Sequence, residues 1–456
     1  MGLRTGPVEE RVVSIARLVA IFFGLAVVSP RSVFAREGLQ DAPPAKAPPS
    51  DPLAAAVELC FSTVDDAKAA EQIDATVAKF GNDPAALLKA VSTPPPRPTT
   101  ETLRLLVPYC GQALAVSIAL PKGFAAPAPA GTTATPPPAP PVVLDLFWNT
   151  VACHFHWSTP VLCYVNQYTP PELSDEGRDA WRKLLNSVSF AVGGDPDRFW
   201  LTGFSWSGHA GFDFAEHRPG IARGFVALGG GPRRSHFRLL KNLGKTSITS
   251  CVGGKDDAEM VWNLEEVGRM AKGLGLDWHF TLDKEGGHKL PLAGMDDVAA
   301  RVDETPALPA QIPDHGTLFA DGELVALPWL EVLEVDPAAV AVPDRFPVDA
   351  SLPKDAQRRA MVKSMAGQVA KVDWKLTKDG KDGDGVALEL TAKGVKRAAV
   401  LVKAPWFDLG KPLKVVVNKK SLCEGPIAVD PATLLKEARR TGDRQRPTVK
   451  RVEVKF

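Results

Sequence analysis

A chain of 456 residues is long for one domain, and two or three are expected. With 45% hydrophobic and 23% charged residues it has the composition of a soluble globular protein, not of a disordered or fibrous one. A formal net charge of +1 gives no electrostatic reason to expect nucleic acid or an anionic surface as partner.

Residues 1–35 read as a signal peptide. Arg4, Arg11 and Arg17 precede an apolar stretch from Leu18 to Val28, shorter than the ~18–20 residues a spanning helix needs. Val33-Phe34-Ala35 places small residues at the spacing a signal peptidase reads. Cleavage after Ala35 is therefore predicted, with a secreted, periplasmic or cell-envelope location; an uncleaved anchor is the alternative. Export makes Cys60, Cys110, Cys153, Cys163, Cys251 and Cys423 eligible for disulfides. No CxxC pair occurs, which argues against a zinc knuckle. Cys153 and Cys163 could bridge a loop, or each could be a small buried apolar residue.

Residues 36–98 are a proline-rich tether and a short helical region. Asp51-Pro52 and Asp83-Pro84 each look like an N-cap followed by proline at the first helical position. Val57, Phe61, Val64, Ile73, Val77 and Phe80 recur at helical spacing up to Gly81. The piece is too small for its own core and is expected to dock on the chain downstream of it.

Over residues 101–305 the pattern becomes α/β. "TLRLLVPYC" and "ALAVSIALP" read as a hairpin around Gly111, and a proline-rich loop leads to the apolar run 142–148. Strands at 161–165, 199–204, 225–228, 246–252 and 278–282 alternate with helices, including 232–243 and 258–272. That alternation predicts a doubly wound, mainly parallel sheet. Residues 306–456 are punctuated by proline and carry alternating β segments such as "WLEVLEV" and "LKVVV", which predict a smaller β-rich C-terminal domain with one helix capped by Asp430-Pro431.

The stretch "FWLTGFSWSG" (199–208) puts Ser205 at the carboxyl end of a predicted strand, between small residues and ahead of a helix. Strand, tight turn and helix in that order lift a serine hydroxyl out of the sheet and aim a helix N-terminus at it. A serine hydroxyl needs a base. Among eight histidines, His279 alternates within a strand, while His209 and His217 ride the helix after the turn. His154 and His156 form an HxH pair without a third ligand, so no metal is expected. His288 follows Glu285-Gly286-Gly287 on a loop beyond the last strand, where two glycines permit a turn over the sheet edge. The acid that orients it is Asp256 or, if Asp256 does not serve, Asp257, which could instead cap the following helix. The order Ser205, Asp256, His288 is that of α/β-hydrolases.

"GGDPDRFWLTGFSWSGHAGFDFAEHRPGIARGFVALGGG", with "VGGKDD" and "EGGHKLP", resembles secreted α/β-hydrolase esterases of the feruloyl-esterase and polyhydroxybutyrate-depolymerase-like group, and shares much with prolyl-oligopeptidase-like peptidases. The resemblance implies an α/β-hydrolase fold and Ser205 as nucleophile, Asp256 as acid, His288 as base. It also implies the Trp206 N–H as half of an oxyanion hole. The His-Gly that supplies the other half in that group is replaced by Phe147-Trp148-Asn149-Thr150, leaving Trp148 or Asn149 as candidates. Ser207, where glycine is usual, is expected to crowd the helix–strand contact. Phe204, Phe147 and Trp157 are candidates for an apolar substrate pocket. Arg233 and Arg234 could recognise a carboxylate or simply be solvated. The function expected is a serine hydrolase without cofactor, acting on a small-molecule or polymeric ester. A peptidase and a non-catalytic polysaccharide- or envelope-binding protein on the same scaffold are the alternatives.

Overall fold

The runs Val142–Asp145 (β3), Phe199–Phe204 (β5) and Ala222–Leu228 (β6) have almost no polar face to turn to water, so each needs cover on both sides. The computed structural model supplies that cover. It describes residues 51–456 except 99, 123, 125–138, 147–153, 156, 158, 166–172, 310, 343–348, 350, 380–384 and 405. The three runs lie in the middle of an eight-stranded sheet of order β1-β2-β4-β3-β5-β6-β7-β8. Its other members are Thr102–Tyr109 (β1), Gln112–Ala119 (β2), Val161–Val165 (β4), Ser247–Gly253 (β7) and Trp278–Asp283 (β8). β1 and β2 form an antiparallel hairpin through Cys110 and Gly111, both at positive φ. β2 pairs antiparallel with β4, and every later pairing is parallel. With helices between the parallel strands, this order is the α/β-hydrolase fold.

The helix Asp175–Val192 begins at the Ser174 cap, ends at left-handed Gly193, and lays Trp181, Leu184, Leu185, Val188 and Val192 against the sheet. The stretch expected as a helix over 232–243 is instead a 3₁₀ turn run, Arg234–Leu243. Its polar side chains are drawn into fixed partners: Arg238 donates to the carbonyls of Val340, Gln368 and Asp321, and Asn242 to those of Glu216 and Phe319.

Residues 315–455 build two further sheets. One has four strands, Val325–Ala326 (β10), Leu330–Val335 (β11), Val395–Lys403 (β14) and Thr448–Lys455 (β17). The other has five, including His315–Ala320 (β9) and Ala370–Asp379 (β12). Their core does not follow chain order. Val57, Cys60, Ile73, Leu87 and Val91 of the first helices are buried in it, and Arg439 donates to the carbonyls of Cys60 and Thr63 at 2.9 Å each. Conversely, Val362 and Met365 of the helix Lys354–Met365 are buried in the core of the eight-stranded sheet. Apolar stripes too small to close a core alone are thus exchanged between the two layers. Among the described residues no helix is long and apolar enough to cross a membrane, and Cys60, Cys110, Cys163 and Cys251 are free thiols. The expected cleavage site lies outside the described residues.

The layers are also joined by ions. Glu331 on β11 is buried and faces Arg440 at 2.6 Å, Arg451 at 3.0 Å and Arg182 of the hydrolase helix at 3.5 Å. Burial alone would raise this carboxyl, but the arginines, Arg440 first, outweigh it and hold it down to about 2. Between about 4.5 and about 2 the unfolded chain therefore carries a proton that the native chain does not, and stability falls as pH drops through that window. Glu331→Gln is expected to cost about 3–5 kcal/mol at neutral pH. The gap in melting temperature between variant and wild type should close toward the acid end of that window; a gap independent of pH would contradict the assignment.

Candidate active site

One residue separates the end of β5 at Phe204 from the start of the helix Trp206–His217. That residue, Ser205, has φ 56° and ψ −119°, a conformation costing about 1–3 kcal/mol for a side chain with a Cβ. Its amide donates to Leu228 O at 2.8 Å, and its carbonyl accepts from Gly208 N at 2.9 Å. The turn closes only because the crossing backbones carry no side chains. A Cβ on Gly203 would lie 2.3 Å from Ser207 O, and one on Gly230 would lie 2.4 Å from Ser205 O. Ser207 does not crowd this contact. It is buried and its Oγ donates to Leu146 O at 3.1 Å, tying the helix to the end of β3, while Gly208 makes the close approach to Gly230.

The hydroxyl raised by this turn meets the ring of His288: Ser205 Oγ lies 2.7 Å from Nε2. On the other side of the ring, Nδ1 lies 2.8 Å from Asp256 Oδ2. A carboxylate only accepts, so Nδ1–H donates to Asp256 and Nε2 is left to accept the serine proton. Asp256 is 5% exposed at its side chain, against 41% for His288, and its other oxygen accepts from the Asp257 amide at 2.7 Å. Asp257 caps the helix Ala258–Leu274, accepting from Glu259 N.

The loop that carries His288 is held by a residue the sequence did not single out. Asp283, at the end of β8, accepts from the amides of Ala293, Gly286 and Glu285 at 3.1, 3.0 and 3.2 Å. These three bonds, Ala293's first, hold its carboxyl below the usual range. An aspartate two residues before a Glu-Gly-Gly turn is the signal that could have pointed to it. Phe204 lies against the His288 ring, centroids 4.8 Å apart. Gly229, at φ +56°, leaves room beside both rings: a Cβ there would touch Phe204 at 3.3 Å and His288 at 3.4 Å.

Trp206 is exposed, and as the first residue of its helix its N–H has no acceptor within the helix. Trp157 packs edge-on to Phe155 and, like Phe204, borders the buried cluster of Val143, Trp200, Val226 and Leu228. Phe147, Trp148 and Asn149 lie outside the described residues. His209 is pushed to a lower pKa by burial, and its Nδ1 is bound to Gly231, away from Ser205. His279 pairs with Asp277 at the surface. Arg233 donates to Leu173 O at 2.9 Å.

No protein-family model matches the sequence, and neither does any curated protein. Among solved structures, the chain is similar to a thermostable esterase, at 13% identity over 41% of this chain and 55% of that one, TM-score 0.31. It is similar to the acylaminoacyl peptidase of Pyrococcus horikoshii at 10% identity over 45% and 42%, TM-score 0.32. A ferulic acid esterase aligns at 12% identity over 41% and 90%, TM-score 0.31. The chain thus spans about half of the first two proteins. The fold assignment rests on the strand order, not on these scores.

Gly203→Ala should unfold the turn by backbone collision, costing as much as or more than the about 1–3 kcal/mol of ordinary overpacking. Ser207→Ala, which only strands the Leu146 carbonyl, should cost about 1–3 kcal/mol and leave the turn intact. Chemical denaturation of both variants checks the order; Gly203→Ala proving the milder change would refute the packing account.

Proposed function

We propose that this chain is a serine hydrolase, specifically an exported carboxylic-ester hydrolase of the feruloyl-esterase and polyhydroxybutyrate-depolymerase-like group. The observation that carries the reading is the unbroken line from Ser205 Oγ through the His288 ring to a buried Asp256. It supplies the three roles acyl transfer needs, each on a different loop at the carboxyl edge of one sheet.

In this reading Ser205 Oγ attacks the ester carbonyl as its proton passes to His288 Nε2. Asp256 stabilises the imidazolium that results. The carbonyl oxygen becomes an oxyanion facing the Trp206 N–H, with the segment 147–150 as the source of a second donor, Trp148 or Asn149. Each such donor is worth about 10²–10³ in turnover. Collapse expels the alcohol, which takes the proton from His288, and leaves an acyl-Ser205 ester. Water then gives a proton to Nε2 and attacks the acyl carbon; the bond to Ser205 Oγ breaks, Oγ takes that proton back from His288, and the acid leaves. The preference for esters over amides rests on the resemblance carried by residues 101–305.

A fluorophosphonate probe should label the wild type, and Ser205→Ala should abolish labelling. Asp256→Asn should lower kcat by about 10⁴ with little change in KM, because the wrong tautomer of His288 is then held toward the serine. A panel of short-chain, long-chain and aryl esters with dipeptide amides tests the substrate class. Turnover of the amides alone would replace the esterase reading by a peptidase. Folded wild type that takes no label would replace it by a binding protein.

A further inference from the structure

The helix that starts at the Ser205 turn ends in a second group of reactive side chains. Asp213 and His217 lie four residues apart on one face of it. His236 approaches from the 3₁₀ stretch, and Glu323 from the turn between β9 and β10. One donor atom from each of these four lies within 4.8 Å of all the others. Asp213, His217 and His236 are buried, and Glu323 is partly exposed.

His217 is set up as a ligand. Its Nδ1 donates to the Asp213 carbonyl at 2.8 Å, which leaves the lone pair of the neutral ring on Nε2. That Nε2 is fully buried and makes no hydrogen bond. It faces Glu323 Oε2 at 3.7 Å and Asp321 Oδ1 at 3.4 Å. Nitrogen facing carboxylate oxygens calls for a positive centre between them, either a proton on Nε2 or a bound cation. Nδ1 of His236 is also buried without a hydrogen bond, 3.5 Å from Asp213 Oδ1. Within the set of four, the His217–Glu323 and His236–Asp213 separations lie near the ~3.3 Å edge of a tetrahedron whose metal–ligand bonds are about 2.0–2.1 Å, and the widest separation is within 4.8 Å.

Arg178 holds both carboxylates: it donates to Asp213 Oδ2 at 2.6 Å and Oδ1 at 3.4 Å, and to Glu323 Oε2, while Oδ1 of Asp213 also faces His236. Asp213, Asp321 and Glu323 are met by the guanidiniums of Arg178, Arg238 and, at 3.9 Å, Arg233, and burial pushes the carboxyl of Glu216, which makes no hydrogen bond, well up.

We infer that Asp213, His217, His236 and Glu323 form a structural site for a divalent transition-metal ion of the zinc class. Two imidazoles with two carboxylates suit such an ion better than calcium or magnesium, which prefer oxygen alone. The ion clasps the far end of the Ser205 helix to the β9–β10 turn of the C-terminal layer.

The test uses the full mature chain, stripped with chelator and dialysed, then titrated with zinc chloride or cobalt chloride. About one equivalent should be retained after gel filtration, cobalt should develop the visible bands of tetrahedral coordination, and the melting temperature should rise by several degrees. His236→Gln and Glu323→Gln should each weaken binding at least about tenfold. Glu323 is partly exposed, so its variant remains informative if His236→Gln does not fold. Stripped wild type that binds neither metal, with an unmoved melting temperature, would overturn the site. So would uptake undiminished in Glu323→Gln and in any folded His236→Gln.

Discussion

The geometry around Ser205 depends on two backbones crossing where there is no room for a side chain. β5 and the helix behind it approach so closely that Gly203 touches the carbonyl of Ser207, and Gly208 lies against Gly230. That approach forces one residue into a left-handed, strained conformation, and the residue forced there is the serine. The strain is held by bonds on either side, from Ser205 N to Leu228 and from Gly208 N to Ser205 O. The hydroxyl therefore stands at a fixed height over the sheet, which is the preorganisation that the proposed nucleophile needs.

The partners of the serine are fixed by other local devices. Asp256 is turned inward by its bond to the next amide, while its neighbour Asp257 is occupied in capping a helix. His288 sits on a loop whose amides converge on Asp283, with Phe204 on one face of the ring and bare Gly229 beside it. Each element constrains a different degree of freedom: height, tautomer, loop position and ring tilt.

The C-terminal layer is bound into the same body. Its sheets bury apolar residues from the first helices, lend a helix to the hydrolase core, and meet the hydrolase helices through buried arginine–carboxylate contacts. Buried ions of this kind contribute little net stability over an apolar contact, but they penalise wrong docking heavily. The helix that begins at the strained serine ends in one such group, so its orientation is governed at both ends.

Much of this was legible in the sequence. The apolar runs and their spacing announce a buried parallel sheet, because a strand covered on both faces has no use for polar alternation. Gly203-Phe204-Ser205, Asp256 after Gly253-Gly254, and His288 after Gly286-Gly287 mark strand ends where turns need glycine, and chain order alone suggests that the three belong together. The sequence did not reveal that Ser207 bonds Leu146 instead of crowding the turn, or that Asp283 clamps the His288 loop. Nor did it reveal that 234–243 winds as a 3₁₀ run, or that the first helices pack on a module more than two hundred residues downstream. Each of these depends on which distant backbone a side chain meets. The cluster of Asp213, His217, His236 and Glu323 is the extreme case: its members are ordinary residues on three separate segments. Local pattern encodes what a segment must bury and where it must turn, but only the packed chain decides which polar groups end up facing one another without water.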